Sequence, residues 1–164
     1  MPEIDTEIRN VQNSAFGAAL LAAFVIGYYS GDERKRGAPL PYLFLVLPLI
    51  LRADIYRIIA GTTPGLRHMA EKFFSSEHAA TDLLLSVRAN AARLRPLTRQ
   101  SFAILLHAGL ASLDPETGRV VPRKTERFSE RSDKPDESKV AEKLGKWLAQ
   151  LSPVEVGSIL KVTF

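Results

Sequence analysis

A chain of 164 residues with 46% apolar side chains can bury a real hydrophobic core, as one domain or as two small subdomains sharing it, and is too apolar for general disorder. It contains no cysteine, which excludes disulfides, cysteine nucleophiles and thiolate metal sites and suits a reducing cytoplasm, the expected location. Its 22 basic and 18 acidic residues leave a formal charge of only +4, so the placement of charge says more than its total.

The first residues carry Glu3, Asp5 and Glu7 with no basic head and do not read as a signal peptide. Asn13 or Ser14 can cap a helix that continues through Tyr28, apolar on nearly every face as a central helix would be. Residues 14–30 make 17 positions, short of the ~20 that cross a hydrocarbon core, so a core or interface helix is expected and no membrane partner. Gly17, Ala18 and Ala22 permit close approach by neighbours, while Gly27 and Gly31 are expected to weaken the helix end. Residues 31–41, marked by glycine, proline and charge, read as a loop.

The run 42–51 is apolar throughout, and its period does not separate a buried strand from a helical segment kinked or started near Pro48. Helical continuation from about Pro48 to Ile59 is preferred, with Leu51, Ile55, Ile58 and Ile59 on one face. The 61–65 segment, Gly-Thr-Thr-Pro-Gly, breaks the chain, and a short helix is expected over 66–74. The next helix carries Leu83, Leu84, Val87 and Ala91 inward, with Arg88 and Arg93 toward solvent or a partner. Pro96 marks a break, and Thr98 can cap a further helix from Arg99 to Ala108, stopped by Gly109.

Residues 110–121 read as two short strands around Asp114-Pro115-Glu116-Thr117-Gly118. Two helices followed by a hairpin outline a winged helix-turn-helix at about 77–121. Residues 122–138 form a polar connector. Structure resumes near Lys139, where Val140, Leu144, Trp147, Leu148 and Leu151 form a helical stripe. Ser152, Pro153 and Glu155 then make a helix start of the capping-box type. The expected fold is therefore mainly α. A helical core occupies 1–121, and the C-terminal helices of 139–164 pack back on it.

Few residues carry chemistry. His68, His78 and His107 are too scattered for a metal motif, and no phosphate loop, dinucleotide fingerprint or serine elbow is present. Two features stand out. Between residues 83 and 113 lie Arg88, Arg93, Arg95 and Arg99 without one acid, a basic face suited to phosphates or to an acidic protein. Tyr28 and Trp147 are candidate interface or core anchors, and the leucines around Trp147 favour core.

Several segments, in order, carry a resemblance to a known family. They are Asn13-Ser14-Ala15-Phe16-Gly17-Ala18, Tyr28, Pro39-Leu40 and Phe44-Leu45-Val46-Leu47-Pro48-Leu49, then Arg88, Arg93, Leu97-Thr98-Arg99-Gln100-Ser101 and Gly109-Leu110. The run from Ala141 through Trp147 to Ala149 and Leu160-Lys161-Val162 complete the set. Together they resemble the middle component of bacterial three-component ABC systems, related to the small third subunit of Lamassu-type antiphage defence. Ser14 stands where proline is more usual, Leu51-Arg52 where leucine-histidine often ends the apolar block, and Trp147-Leu148 where tryptophan-phenylalanine is common. These departures preserve packing and weaken any argument for a catalytic histidine. The resemblance implies a non-enzymatic assembly or regulatory subunit without a cofactor. Its implied partners are an SMC- or Rad50-like ABC ATPase and a separate effector such as a nuclease, with DNA contacted directly or through the complex. The alternative reading is an independent winged-helix DNA-binding regulator.

Overall fold

A computed structural model of the chain describes residues 13–62, 79–123 and 135–164 together with 65, 67, 68 and 71, excepting the side chains of 79–81, 83 and 84. The short helix expected over 66–74 and most of the polar connector thus lie largely outside the described residues.

Helix α1 (Ser14–Gly31) opens at Asn13, whose Oδ1 accepts hydrogen bonds from the amides of Ala15 at 3.0 Å and Phe16 at 3.1 Å. Ten of its residues are buried, from Gly17 to Tyr28 and on several faces, which is why its sequence shows no polar stripe. By length and composition alone α1 could cross a membrane, but here it is wrapped by other helices. The helix ends at Gly31, and Gly27 and Gly31 are in addition packing positions. A Cβ on Gly27 would overlap the Glu142 carbonyl, and one on Gly31 would stand 3.1 Å from the Lys146 Cα. The helix stops at Asp32, whose amide donates to the Tyr28 carbonyl at 2.9 Å. Lys35 then folds back, its Nζ donating to the free carbonyls of Tyr29 at 2.8 Å and Ser30 at 3.0 Å, where a cation suits the negative helix end.

Strand β1 (Ala38–Pro39) lies in the segment expected as loop, and helix α2 (Leu40–Ile50) follows at once. The preferred start near Pro48 is thereby corrected: α2 begins eight residues earlier, with Pro39 at its N-cap and Pro41 in its first turn, where a fixed φ is suited to a helix start. Pro48 sits inside it and removes one backbone donor, at a cost of about 3 kcal/mol. Eight buried residues of α2 offset that loss, at about 1.5–3 kcal/mol for each large apolar side chain. Helix α3 (Ala53–Gly61) turns Ile55 and Ile59 inward.

Helix α4 (Ala79–His107) is continuous through Pro96. The expected break there, with Thr98 as a cap, does not occur. Thr98 is buried, and its hydroxyl donates back to the Leu94 carbonyl at 3.0 Å. Val87, Leu94 and Leu105 hold the helix against the core on both sides of the proline, so packing overrides the local signal. The end is as expected: Gly109 takes φ +65, its amide donates to Leu106, and the Leu110 amide donates to Leu105, a Schellman motif.

Strands β2 (Ala111–Asp114) and β3 (Arg119–Pro122) form the expected hairpin, with Asp114 opposite Arg119 and Leu113 opposite Val120. Asp114 accepts from the Glu116 amide at 2.9 Å and the Thr117 hydroxyl at 2.7 Å, which closes the turn. β1 pairs antiparallel with the outer side of β3, giving the order β1-β3-β2 with Pro39 on an edge strand. A long helix running into a hairpin is compatible with a winged-helix outline.

Helix α5 (Asp136–Ala149) begins before Lys139, with Asp136 and Glu137 in its first turn. It lies along α1, where Gly145 packs so closely that a Cβ would overlap the Phe24 carbonyl and stand 2.6 Å from the Tyr28 amide. Lys143 caps the end of α3, donating to the carbonyls of Ile59 at 3.0 Å and Ala60 at 3.1 Å, and covers the Trp147 ring. Helix α6 (Pro153–Leu160) starts with the full capping box of Ser152 and Glu155.

The close approach of α1 and α5 yields a prediction. Gly145→Ala is expected to destabilise the protein by about 1–3 kcal/mol, because backbone rather than a flexible side chain must yield. Gly61→Ala, where a Cβ meets nothing within 4 Å, is expected to be neutral or to stabilise by about 0.5 kcal/mol. Urea unfolding of the two variants checks this, and equal midpoints would contradict the close-approach account.

Candidate functional site

Helical geometry decides which of the four arginines can act together. Arg88, Arg95 and Arg99 are separated by seven and four residues, close to whole turns, and so share one face of α4. All three are exposed and line one groove of about 700 Å³. Its other walls come from Leu40, Phe44 and Leu45 of α2 and from Val162 and Phe164. Arg93 faces elsewhere. It lines a second cleft of about 310 Å³ with Arg52 and Leu51, and its Nη2 lies 3.4 Å from Asn90 Oδ1.

Among the described residues, the guanidinium groups of Arg88, Arg95 and Arg99 make no ion pair or hydrogen bond. Arg52, by contrast, is held by Asp54 at 2.8 Å and reaches the Ser86 hydroxyl. The groove is therefore an apolar floor edged by three uncommitted cations. Sequence reasoning finds the cations but not the floor, since only the fold brings Phe44 and Phe164 beside them. The remaining signal is the apolar 162 and 164 pair at the chain end, which by itself suggests no more than an extended peptide.

The floor is tied to the core by an aromatic chain. The Phe164 ring lies 5.0 Å from Tyr42 and the Tyr42 ring 6.0 Å from Tyr28 in an edge contact. Tyr28 and Tyr42 are both buried, at 4% and 1% exposure, so Tyr28 is a packing residue in this chain. Trp147, at 7%, is likewise in the core. Burial pushes the Tyr42 hydroxyl up to about 12, with the neighbouring Tyr28 adding to the shift. Burial also raises Tyr28, and the Arg119 guanidinium beside it opposes the rise.

His107 and His68 are exposed, the latter 3.2 Å from Glu71, and His78 lies outside the described residues. Among the described residues no three histidine, aspartate or glutamate side chains converge as a metal site would require. Asp32 is buried at the α1 terminus. Burial works to raise its pKa, but the Arg36 guanidinium at 3.2 Å and the amides of Arg36 and Arg34 outweigh it and hold the carboxyl below its usual range. That cluster shapes the loop leading to β1.

Fold and groove define a mainly helical protein that presents a basic-edged apolar surface. Along residues 1–164 the sequence matches the family described as ABC-three component (ABC-3C) system Middle Component 3, and the chain belongs to that family. No curated protein and no solved structure matches it.

The buried tyrosines predict alkaline behaviour. The native state holds the Tyr42 proton more tightly than the unfolded chain, so its contribution to stability is complete below about pH 10 and is lost as pH rises through about 12. Tyrosinate absorbance should show a late component that coincides with unfolding. Tyr42→Phe should remove that component and move alkaline unfolding to higher pH; an unchanged titration would refute the assignment.

Proposed function

We propose that this chain is a non-catalytic assembly or regulatory subunit of an antiphage defence complex centred on an SMC- or Rad50-like ABC ATPase. ATP hydrolysis and the effector chemistry, such as nuclease cutting, reside in partner chains in the cytoplasm, and the system is related to Lamassu. The observation that carries this reading is the match of the whole sequence to a middle-component family, whose name makes the chain one member of a multi-part system. The arrangement of α4 supports it. A 29-residue helix with an exposed face of arginines and the exposed Leu85 suits contact with another chain.

A second reading, an independent DNA-binding regulator, is favoured by one observation: the acid-free 83–113 segment runs directly into the β2–β3 hairpin. Arg93 faces away from Arg95 and Arg99, so a single phosphate track would engage either side and not all four arginines.

The two readings separate experimentally. The assembly subunit copurifies with the ABC ATPase encoded beside it, with no tag-dependent bridge and at moderate salt; persistent failure under gentle conditions sinks that reading. A DNA regulator binds duplex alone, and an Arg93/Arg95/Arg99 triple alanine variant lowers the slope of log affinity against log salt by about 0.9 for each phosphate left unneutralised. Equal duplex binding by wild type and variant eliminates that footprint.

A further inference from the structure

We infer that the Arg88–Arg95–Arg99 groove is a docking site for an acidic amphipathic helix carried by a partner chain. This rests on the reading of the protein as an assembly subunit and specifies which surface assembles and what chemistry it takes.

Charge complementarity identifies the occupant. Three exposed guanidinium groups, none paired among the described residues, edge one side of the groove, and α4 supplies no acid between 83 and 107 to neutralise them. At 1.5 Å per residue, Arg88 and Arg95 stand about 10 Å apart along the helix and Arg95 and Arg99 about 6 Å. A helix lying along α4 offers carboxylates at that spacing when its acids fall at i, i+7 and i+11, or at i, i+4 and i+11 when it runs antiparallel. Guanidinium and carboxylate can then meet in bidentate pairs, which fix register as well as sign.

The opposite wall selects against a bare polyanion. Leu40, Leu45 and Val162 are aliphatic and give a phosphate backbone nothing to bind. Together with the Phe44 and Phe164 rings they form an apolar wall against which leucine or phenylalanine anchors between the acids of an amphipathic helix would bury. The surface at the bottom of the groove is also adaptable. Phe164 is 48% exposed and rests on Tyr42 from one side, so a ligand side chain can cover its free face without disturbing the core.

The test uses full-length protein and a fluorescent peptide of about 18 residues, long enough to hold helical structure, with glutamates in the antiparallel spacing and leucines between them. Saturable binding is expected, and its lysine-for-glutamate analogue should not bind. Arg88→Glu/Arg95→Glu/Arg99→Glu should weaken binding by at least about tenfold, while Phe164→Ala should cost about threefold. Circular dichroism of both variants should match wild type, and so should thermal unfolding of the triple variant, whose substituted side chains are exposed. Phe164→Ala, which loses its ring contact with Tyr42, should unfold at a slightly lower temperature. Salt should weaken binding without abolishing it. Equal binding of the glutamate and lysine peptides, or indifference to the triple substitution, would overturn the inference. So would complete displacement of the peptide by single-stranded or duplex DNA at lower concentration, which assigns the groove to nucleic acid. A wild-type dimer in light scattering that the triple variant dissolves would assign it to a second copy. If the ATPase copurifies with the triple variant as well as with wild type, the assembly reading survives and the groove assignment fails.

Discussion

Where α1 meets α5, Gly27 lies against the Glu142 carbonyl and Gly145 against the backbone of Phe24 and Tyr28, so backbone packs on backbone at both glycines. Ordinary helix pairs keep their axes 8–10 Å apart, and glycines opposite each other let backbones come closer. That proximity brings α5 deep enough for Trp147, Leu144 and Leu148 to share the core with α1, and for Lys143 to reach the last carbonyls of α3. Gly17 in turn meets the Ser101 side chain, which lets α4 sit close to α1. A side chain at Gly27 or Gly145 would push α1 and α5 apart, and one at Gly17 would press on Ser101 of α4, the helix that carries the arginine face.

The groove combines two kinds of surface with different consequences. Exposed arginines raise the rate of encounter with an acidic partner and respond to salt, whereas the Phe44, Leu45 and Phe164 floor governs how long the partner stays. Placement of Arg93 on the second cleft leaves it outside that arrangement, although it belongs to the same basic segment.

What is legible in the residues alone is mostly local. Asn13, Gly109, the Asp114–Gly118 turn and the Ser152–Glu155 box each close within a few residues, and each stands as its chemistry implies. Prolines mislead. Pro48 and Pro96 are strong helix boundaries by local energy, yet both lie inside helices because long-range burial on either side outweighs a lost donor. The packing role of Gly27 is likewise invisible locally, since it depends on the backbone of Glu142 and on Gly145, residues distant in sequence. The two-residue β1 is a strand only because β3 lies beside it. At the site, the shared face of Arg88, Arg95 and Arg99 follows from helical spacing, while the floor requires residues 40–45 and 162–164 to meet.

The pairing of α1 with α5 also sets a schedule for synthesis. The apolar helix α1 leaves the ribosome before α5, which follows roughly 120 residues later, a delay of about 6–24 s at 5–20 residues per second. During that interval the face of α1 that α5 will cover stays exposed, apolar surface of the kind that chaperones recognise. Folded yield is therefore expected to rise under conditions that shelter α1 until Gly145 is made.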